Sequence, residues 1–255
     1  MADPLILLSN DDGFDSRGLA ALRTALESLG QVIVCAPAQN QSASSHALTL
    51  NSVLRLKKVD KSTYIVNGTP ADCIYVALHS GDRIVPRRPD LVVSGMNHGP
   101  NLGIDIVYSG TVGAAREAAH RGIPALAVSA DTRADFTAAA TLASGAASRL
   151  LTTIGDRTDR PAPLLNVNIP RGHHGRIRAT VLGRRLYDDG VLFRRDPRGR
   201  EYLWIGGSNV RHDETDGTDT GAWEAGIASL TPLTLDLTAH THDELAATVC
   251  GNPDP

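Results

Sequence analysis

Three polar segments hold the side chains that could do chemistry. In the first, Ser9-Asn10-Asp11-Asp12-Gly13, two carboxylates stand side by side directly after an apolar run. Adjacent carboxylates near a dry edge repel, and a divalent cation with hard oxygen ligands relieves that repulsion. A capped turn with the second carboxylate in water is the other reading of the same residues. The second segment, residues 38–47, offers Asn40, Ser42, Ser44, Ser45 and His46. A hydroxyl can ligate a hard metal or donate to a phosphate oxygen, although a polar surface loop has the same composition. In the third, Gly95, Asn97, Gly99, Asn101 and Gly103 alternate strictly, and Tyr108-Ser109-Gly110-Thr111 then opens a helix. Glycine lets backbone approach a ligand closely, and the free N–H groups of a helix start favour an anion such as phosphate. The alternative is that Ser109 or Thr111 only caps that helix. Carboxylates beside an anion-binding helix start point to metal-assisted hydrolysis of a phosphate ester. The sequence has neither a Gly-x-x-x-x-Gly-Lys-Ser/Thr loop nor a Gly-x-Ser-x-Gly elbow. A P-loop NTPase and a serine hydrolase of the elbow type are therefore disfavoured.

The elements that must position these segments follow from the apolar pattern. Leu5–Leu8, Gln31–Cys35, Leu91–Ser94, Pro124–Val128 and Leu164–Ile169 are short apolar runs of the kind found in strands buried on both faces. Between them, Leu19, Leu22, Leu26 and Leu29 keep helical spacing up to Gly30. Thr69-Pro70-Ala71-Asp72 starts a helix that runs to about Ser80, with Thr as the cap and Pro at its first position. Further helices are predicted over 112–120 and the Ala-rich 136–154, and residues 48–66 alternate weakly as in a hairpin. Residues 95–111 read as irregular. Alternating strands and helices over 1–170 predict a three-layer, Rossmann-like α/β core with a mainly parallel sheet, in which ligands bind beyond the carboxyl ends of the strands. All three polar segments fall at that edge. Residues 171–255 read as a mostly β appendage with an extended hairpin, turned at Asp189-Gly190, Pro197-Arg198-Gly199 and Gly206-Gly207, and ending in a polar tail after about residue 243.

Composition narrows the function classes. The 255 residues are 42% hydrophobic, with no run long enough to cross a bilayer, so no membrane partner is expected. A net charge of −3 argues against general nucleic-acid binding. Cys35, Cys73 and Cys250 are far apart with no Cys-x-x-Cys, so neither a zinc ribbon nor a disulfide framework organises the chain. Reduced thiols and the absence of a leader-like start favour the cytoplasm. Residues 171–200 hold nine Arg against three Asp, interleaved with Leu186, Tyr187, Val191, Leu192 and Phe193, and Tyr202, Leu203 and Trp204 follow. That mixture resembles an interface, so oligomerisation through the region after residue 170 is expected, against the alternative that the arm folds back on its own domain.

Several long stretches closely resemble the SurE (survival protein E) family of 5′/3′-nucleotidases. They are LLSNDDG at 7–13, GTPADC at 68–73, SGMNHGPNLG at 94–103, YSGTVGAA at 108–115, LLNVNIP at 164–170 and GTDTGAWEAGIASLTPL at 217–233. The resemblance implies a divalent-metal-dependent phosphomonoesterase acting on nucleoside 5′- and 3′-monophosphates, with one Mn²⁺ or Mg²⁺ per subunit. It places the metal ligands on Asp11, Asp12, Ser42 and Asn97, and the phosphate-binding groups on Asn101, Ser109, Gly110 and Thr111. Asp11 and Asp12 are then the catalytic carboxylates, and either could take the proton of the attacking water. The family implies a homodimer or homotetramer, with C-terminal elements exchanged between subunits. This chain departs from the family at Ala43, where Gly is common after the ligand serine, and at Ser16 and Arg17, on the lip of the site.

Overall fold

The structure is a computed structural model and describes residues 3–155, 162–188, 190–206 and 210–251. Its first part runs β1 (Leu5–Ser9), α1 (Arg17–Leu26), β2 (Gln31–Pro37), β3 (Leu56–Lys58), β4 (Thr63–Val66), α2 (Pro70–His79), β5 (Leu91–His98), α3 (Gly110–His120), β6 (Ala125–Ala130), α4 (Phe136–Ile154) and β7 (Leu164–Ile169). It continues with β8 (Ile177–Ala179), β9 (Arg185–Tyr187), β10 (Val191–Arg195), β11 (Glu201–Ile205), β12 (Val210–His212), α5 (Asp219–Glu224), β13 (Ala228–Leu233) and α6 (Asp243–Val249). The main sheet has the order β3-β4-β2-β1-β5-β6-β7-β13-β8, and β4 through β7 in that order are parallel.

The apolar runs make this a three-layer α/β fold because successive residues point to opposite faces. Leu5 and Leu7 join the cluster under α2 and α3, with Ile33, Cys35, Cys73 and Ala114. Ile6 and Leu8 join the cluster under α1 and α4, with Leu19, Leu22 and Ala143. The helix starts follow their caps. Ser16 accepts from Leu19 N at the start of α1, and Thr69 and Asp72 form a reciprocal capping box on α2. Asp135 caps α4 through Thr137 N and Ala138 N.

The structure differs from the sequence reading in four places. Helix α1 stops at Leu26, and Gly30 does not cap it. Gly30 is needed instead because a Cβ there would lie 2.1 Å from the Pro4 carbonyl oxygen. The expected hairpin at 48–66 is confined to β3 and β4. Strand β5 continues through Gly95, Met96 and Asn97 to His98, with a register shift against β6 between Ser94 and Asn97. A bulge of this kind re-aims side chains at a sheet end, and an alternation of Gly and Asn hides it from an apolar count. The expected polar tail includes α6.

After β7 the chain returns to the sheet, where β13 pairs antiparallel with β7 and β8 runs beside β13. Two ribbons complete this part: β9 with β12, and the β10–β11 hairpin, turned through Asp196 and Gly199. Asp189 and Gly207, assigned to turns from the sequence, lie outside the described residues. No helix among the described residues is long and apolar enough to cross a membrane.

Candidate active site

The first polar segment leaves the carboxyl end of β1 in a turn that Asn10 builds. Its amide nitrogen donates to Gly13 O (2.8 Å) and Ser16 Oγ (2.8 Å). Asp11 is thereby pointed at the N-terminus of α3. Its Oδ1 accepts from the Thr111 hydroxyl and its Oδ2 from Thr111 N at 3.1 Å. Asp11 is 3% exposed. Burial pushes its carboxyl up to about 6, the Thr111 hydrogen bonds pull against that, and the neighbouring Asp12 adds to it. Asp12 is held by His98 N, which donates to its Oδ2 at 3.0 Å, while Asn40 Nδ2 reaches its Oδ1 only at 3.4 Å.

The second segment is fastened across α3. Gln41 N donates to Asp11 O (2.7 Å), Ser45 N to Tyr108 O (3.0 Å) and Ser45 Oγ to Val107 O (2.7 Å). His46 Nε2 meets Glu117 Oε2 at 2.8 Å, and Arg121 Nε donates to Glu117 Oε1 at 2.8 Å. Burial raises the Glu117 carboxyl, but these two partners outweigh it and hold the group below its ordinary value. The loop lies so close to α3 that a Cβ on Gly113 would sit 2.2 Å from Ser45 O. Ser42 is exposed at the loop tip, with its N–H on Asn40 Oδ1 at 2.9 Å. Ala43 and Ser45 take φ of 59° and 55°. Positive φ costs an L-residue roughly 1–2 kcal/mol and glycine far less. The Gly common at position 43 in the family thus has a backbone reason.

The third segment is pinned by residues far away in sequence. Asn97 Nδ2 donates to Gly99 O (2.7 Å), which leaves its amide oxygen for the cavity. Asn101 is held on every side. Its N–H goes to Asn168 Oδ1 (2.8 Å), its carbonyl takes Asn166 Nδ2 (2.8 Å) and Asn168 Nδ2 (3.0 Å), and its own Nδ2 goes to Ser129 Oγ (2.8 Å). Asp219, fully buried, takes Gly103 N (2.9 Å) and Gly183 N (2.6 Å). Asp105 accepts from Arg185 and from the Tyr187 hydroxyl, so β9 docks at the rim. Ser109 caps α3, accepting from Val112 N at 3.1 Å.

Together these loops surround a cavity of about 330 Å³ lined by Asp11, Ser42, Asn97, Asn101, Ser109 and Tyr187, among others. Asp12 and Gly110 are the chain neighbours of Asp11 and Thr111, and the N–H and hydroxyl of Thr111 are both spent on Asp11. The Ser44 hydroxyl is buried without a hydrogen-bond partner, and a Cβ built on Gly110 would lie 2.6 Å from it. No group of three or more His, Cys, Asp or Glu that could hold a metal occurs among the described residues. The available donors are two carboxylates and neutral oxygens, a set that fits a hard divalent cation rather than zinc. Sequence reasoning missed Asn166, Asn168, Ser129, Asp219 and the His46–Glu117 pair. The two asparagines at alternate positions of the apolar LLNVNI strand were the available signal, since a buried amide needs partners.

Comparison with known proteins gives the family. The sequence model of the family described as Survival protein SurE matches residues 6–189. A protein of Sorangium cellulosum named 5′-nucleotidase SurE is 60% identical over 243 residues, covering 95% of this chain and 94% of its own length. A protein of Yersinia pseudotuberculosis named 5′/3′-nucleotidase SurE is 41% identical over 253 residues, covering 98% of this chain and 97% of its own. The crystal structure of SurE protein from Aquifex aeolicus superposes with a TM-score of 0.77 at 37% identity, covering 96% of this chain and 99% of that one. With the family's sequence and fold spanning nearly the whole molecule, the chain belongs to the SurE family.

Proposed function

We propose that this chain is a 5′-nucleotidase, a phosphoric monoester hydrolase that releases phosphate from nucleoside 5′-monophosphates and also 3′-monophosphates, and that it depends on a divalent metal. The observation that carries the reading is the position of Asp11. It is buried at the start of α3, held by Thr111, and faces a cavity shared with Ser42, Asn97 and Ser109. One divalent cation per subunit, Mn²⁺ or Mg²⁺, held by Asp11, Asp12, Ser42 and Asn97, would supply Lewis-acid charge and an activated water.

The chain's own groups divide the remaining work. Ser109 and Asn101 face the cavity and take phosphoryl oxygens, and Gly110 opens the helix whose dipole favours their charge. Thr111 acts at one remove, fixing Asp11 through two hydrogen bonds. Asp12 Oδ1, with one long contact, is the freer carboxylate oxygen and takes the proton of the attacking water.

The exposed β10–β11 hairpin supports a homodimer or homotetramer built through the C-terminal region, because Phe193, Leu203, Trp204 and Ile205 are all exposed on it. The buried, unpaired Cys35 and Cys73 suit a reducing compartment, the cytoplasm. Assay of nucleoside monophosphates and p-nitrophenyl phosphate tests the activity. Turnover should vanish in excess chelator and return with Mn²⁺ or Mg²⁺. Undiminished turnover with metal content verified as nil would overturn the metal dependence, and no hydrolysis of any nucleotide with metal present would overturn the activity.

A further inference from the structure

A second cavity, of about 500 Å³, lies at the opposite end of the sheet. It sits where residues 80–90 enter β5 and residues 121–124 enter β6, about 25 Å along the strands from the site just described. Its polar lining is Arg87, Arg88, Arg121, His79 and His120, with Asp82 as the one acid. The C-terminus of α3 accounts for His120 and Arg121, since cations suit that end of a helix dipole. It does not account for Arg87 and Arg88, which another segment delivers. Arg87 is paired with Asp90 at 2.8 Å, whereas Arg88 donates to the Arg121 carbonyl, at 2.8 Å, and has no carboxylate partner among the described residues. The wall is ordered: Tyr75 stacks on His79 at 4.3 Å and carries the Arg121 guanidinium 5.1 Å above its ring.

Arg121 also belongs to a chain of contacts that reaches the catalytic end. Its Nε binds Glu117 Oε1 (2.8 Å), and Glu117 Oε2 binds His46 (2.8 Å), four residues from Ser42 on the same loop. Side-chain exposure of Glu117 is 3%, so its charge depends on these two partners. We infer that this basic cavity binds a small polyphosphate anion, and that binding acts on the Ser42 loop through Arg121, Glu117 and His46. Three guanidiniums with two imidazoles match several phosphate groups on one ligand, through charge-assisted and bidentate contacts. An anion that draws Arg121 toward the cavity removes one of the two partners of Glu117 and loosens the anchor of the loop. The inference does not depend on the catalytic reading, because its test uses binding and backbone exchange rather than turnover.

Titration calorimetry of the full chain in chelator, with tripolyphosphate and separately with ATP, tests the site. One site per chain is expected, retained in Ser109→Ala and weakened about tenfold or more in Arg88→Gln and Arg87→Gln, the scale of one lost charge-assisted contact. Tighter binding of ATP marks a nucleotide ligand, and tighter binding of tripolyphosphate an inorganic one. Amide exchange of residues 42–47 should quicken when the anion binds the wild type and stay unchanged in Glu117→Gln. Binding that Ser109→Ala abolishes while Arg88→Gln leaves it intact places the anion at the catalytic end and overturns the site. Binding at the basic cavity with no change in loop exchange overturns the coupling.

Discussion

The catalytic end of the sheet and the β10–β11 hairpin are built on opposite rules. At the catalytic end the loops are tied to distant parts of the chain by buried hydrogen bonds. Asn101 is tied to β6 and β7, Asp11 to α3, and Gly103 to Asp219, over sequence distances of up to 116 residues. In the hairpin all ten strand residues are exposed, and the pairing is local. The first region is rigid because distant elements over-determine it. The second has an apolar surface that no other element among the described residues is seen to cover, and this supports the proposed association through it.

Asp11→Asn breaks the first region where the most depends on it, and the largest effect is expected there. The isosteric amide keeps the fold but removes charge at the reacting centre, so kcat should fall by about 10²-fold or more. The same variant reads out the buried carboxyl. With its pKa raised from 3.8 to about 6, the folded protein binds a proton that the unfolded chain has released in that interval. The metal-free wild type therefore loses stability as pH rises through that window, by about 3 kcal/mol in all, and the cost is complete above pH 6. Asn at this position carries no such cost. Metal-free Asp11→Asn should thus exceed the wild type in denaturant midpoint at pH 7.5, with the gap closing by pH 4. Glu117 has the opposite sign. Its lowered carboxyl contributes stability above its ordinary value of 4.5 that is lost as pH falls through the lowered one.

Asp219→Asn keeps one acceptor oxygen and turns the other into an amide donor, which sets it against the N–H of Gly103 or of Gly183. A loss of roughly 2–4 kcal/mol in chemical unfolding is expected, with activity falling although Asp219 does not face the cavity. The hairpin should respond in the other way. Phe193→Ser with Trp204→Ser should leave the unfolding free energy of the isolated subunit within about 0.5 kcal/mol, while light scattering reports smaller particles. An unchanged oligomer, or a large loss of subunit stability, would mean that the hairpin is covered by its own chain. The smallest expected effect is Ala43→Gly. Relief of the positive φ, offset by the entropy of an added glycine, should stabilise by up to about 1 kcal/mol in thermal unfolding.

What could be read from the sequence divides along the same line. Strand β7 and helix α4 match their expected bounds because buried apolar runs and Ala-rich helical spacing are local signals. The convergence of the three polar segments that carry Asp11, Ser42, Asn97 and Ser109 was legible because strand ends in this architecture share an edge, and the resemblance singled out these residues within them. The service of Thr111 to Asp11 was not, since the two are 100 residues apart and the hydroxyl looks the same whether it faces an anion or a carboxylate. Nor was the continuation of β5, because a strand built through a bulge with Gly and Asn carries no apolar signature.

If Asp11 and Asp12 form a divalent-cation site, titration of the metal-free chain with Mn²⁺, followed by electron paramagnetic resonance of free Mn²⁺, reads it out. One tight Mn²⁺ per chain is expected, with affinity falling at least about tenfold in Asp11→Asn and in Asp12→Asn, the scale of removing a charged oxygen ligand from a hard cation. Wild-type Mn²⁺ affinity in both variants would contradict it.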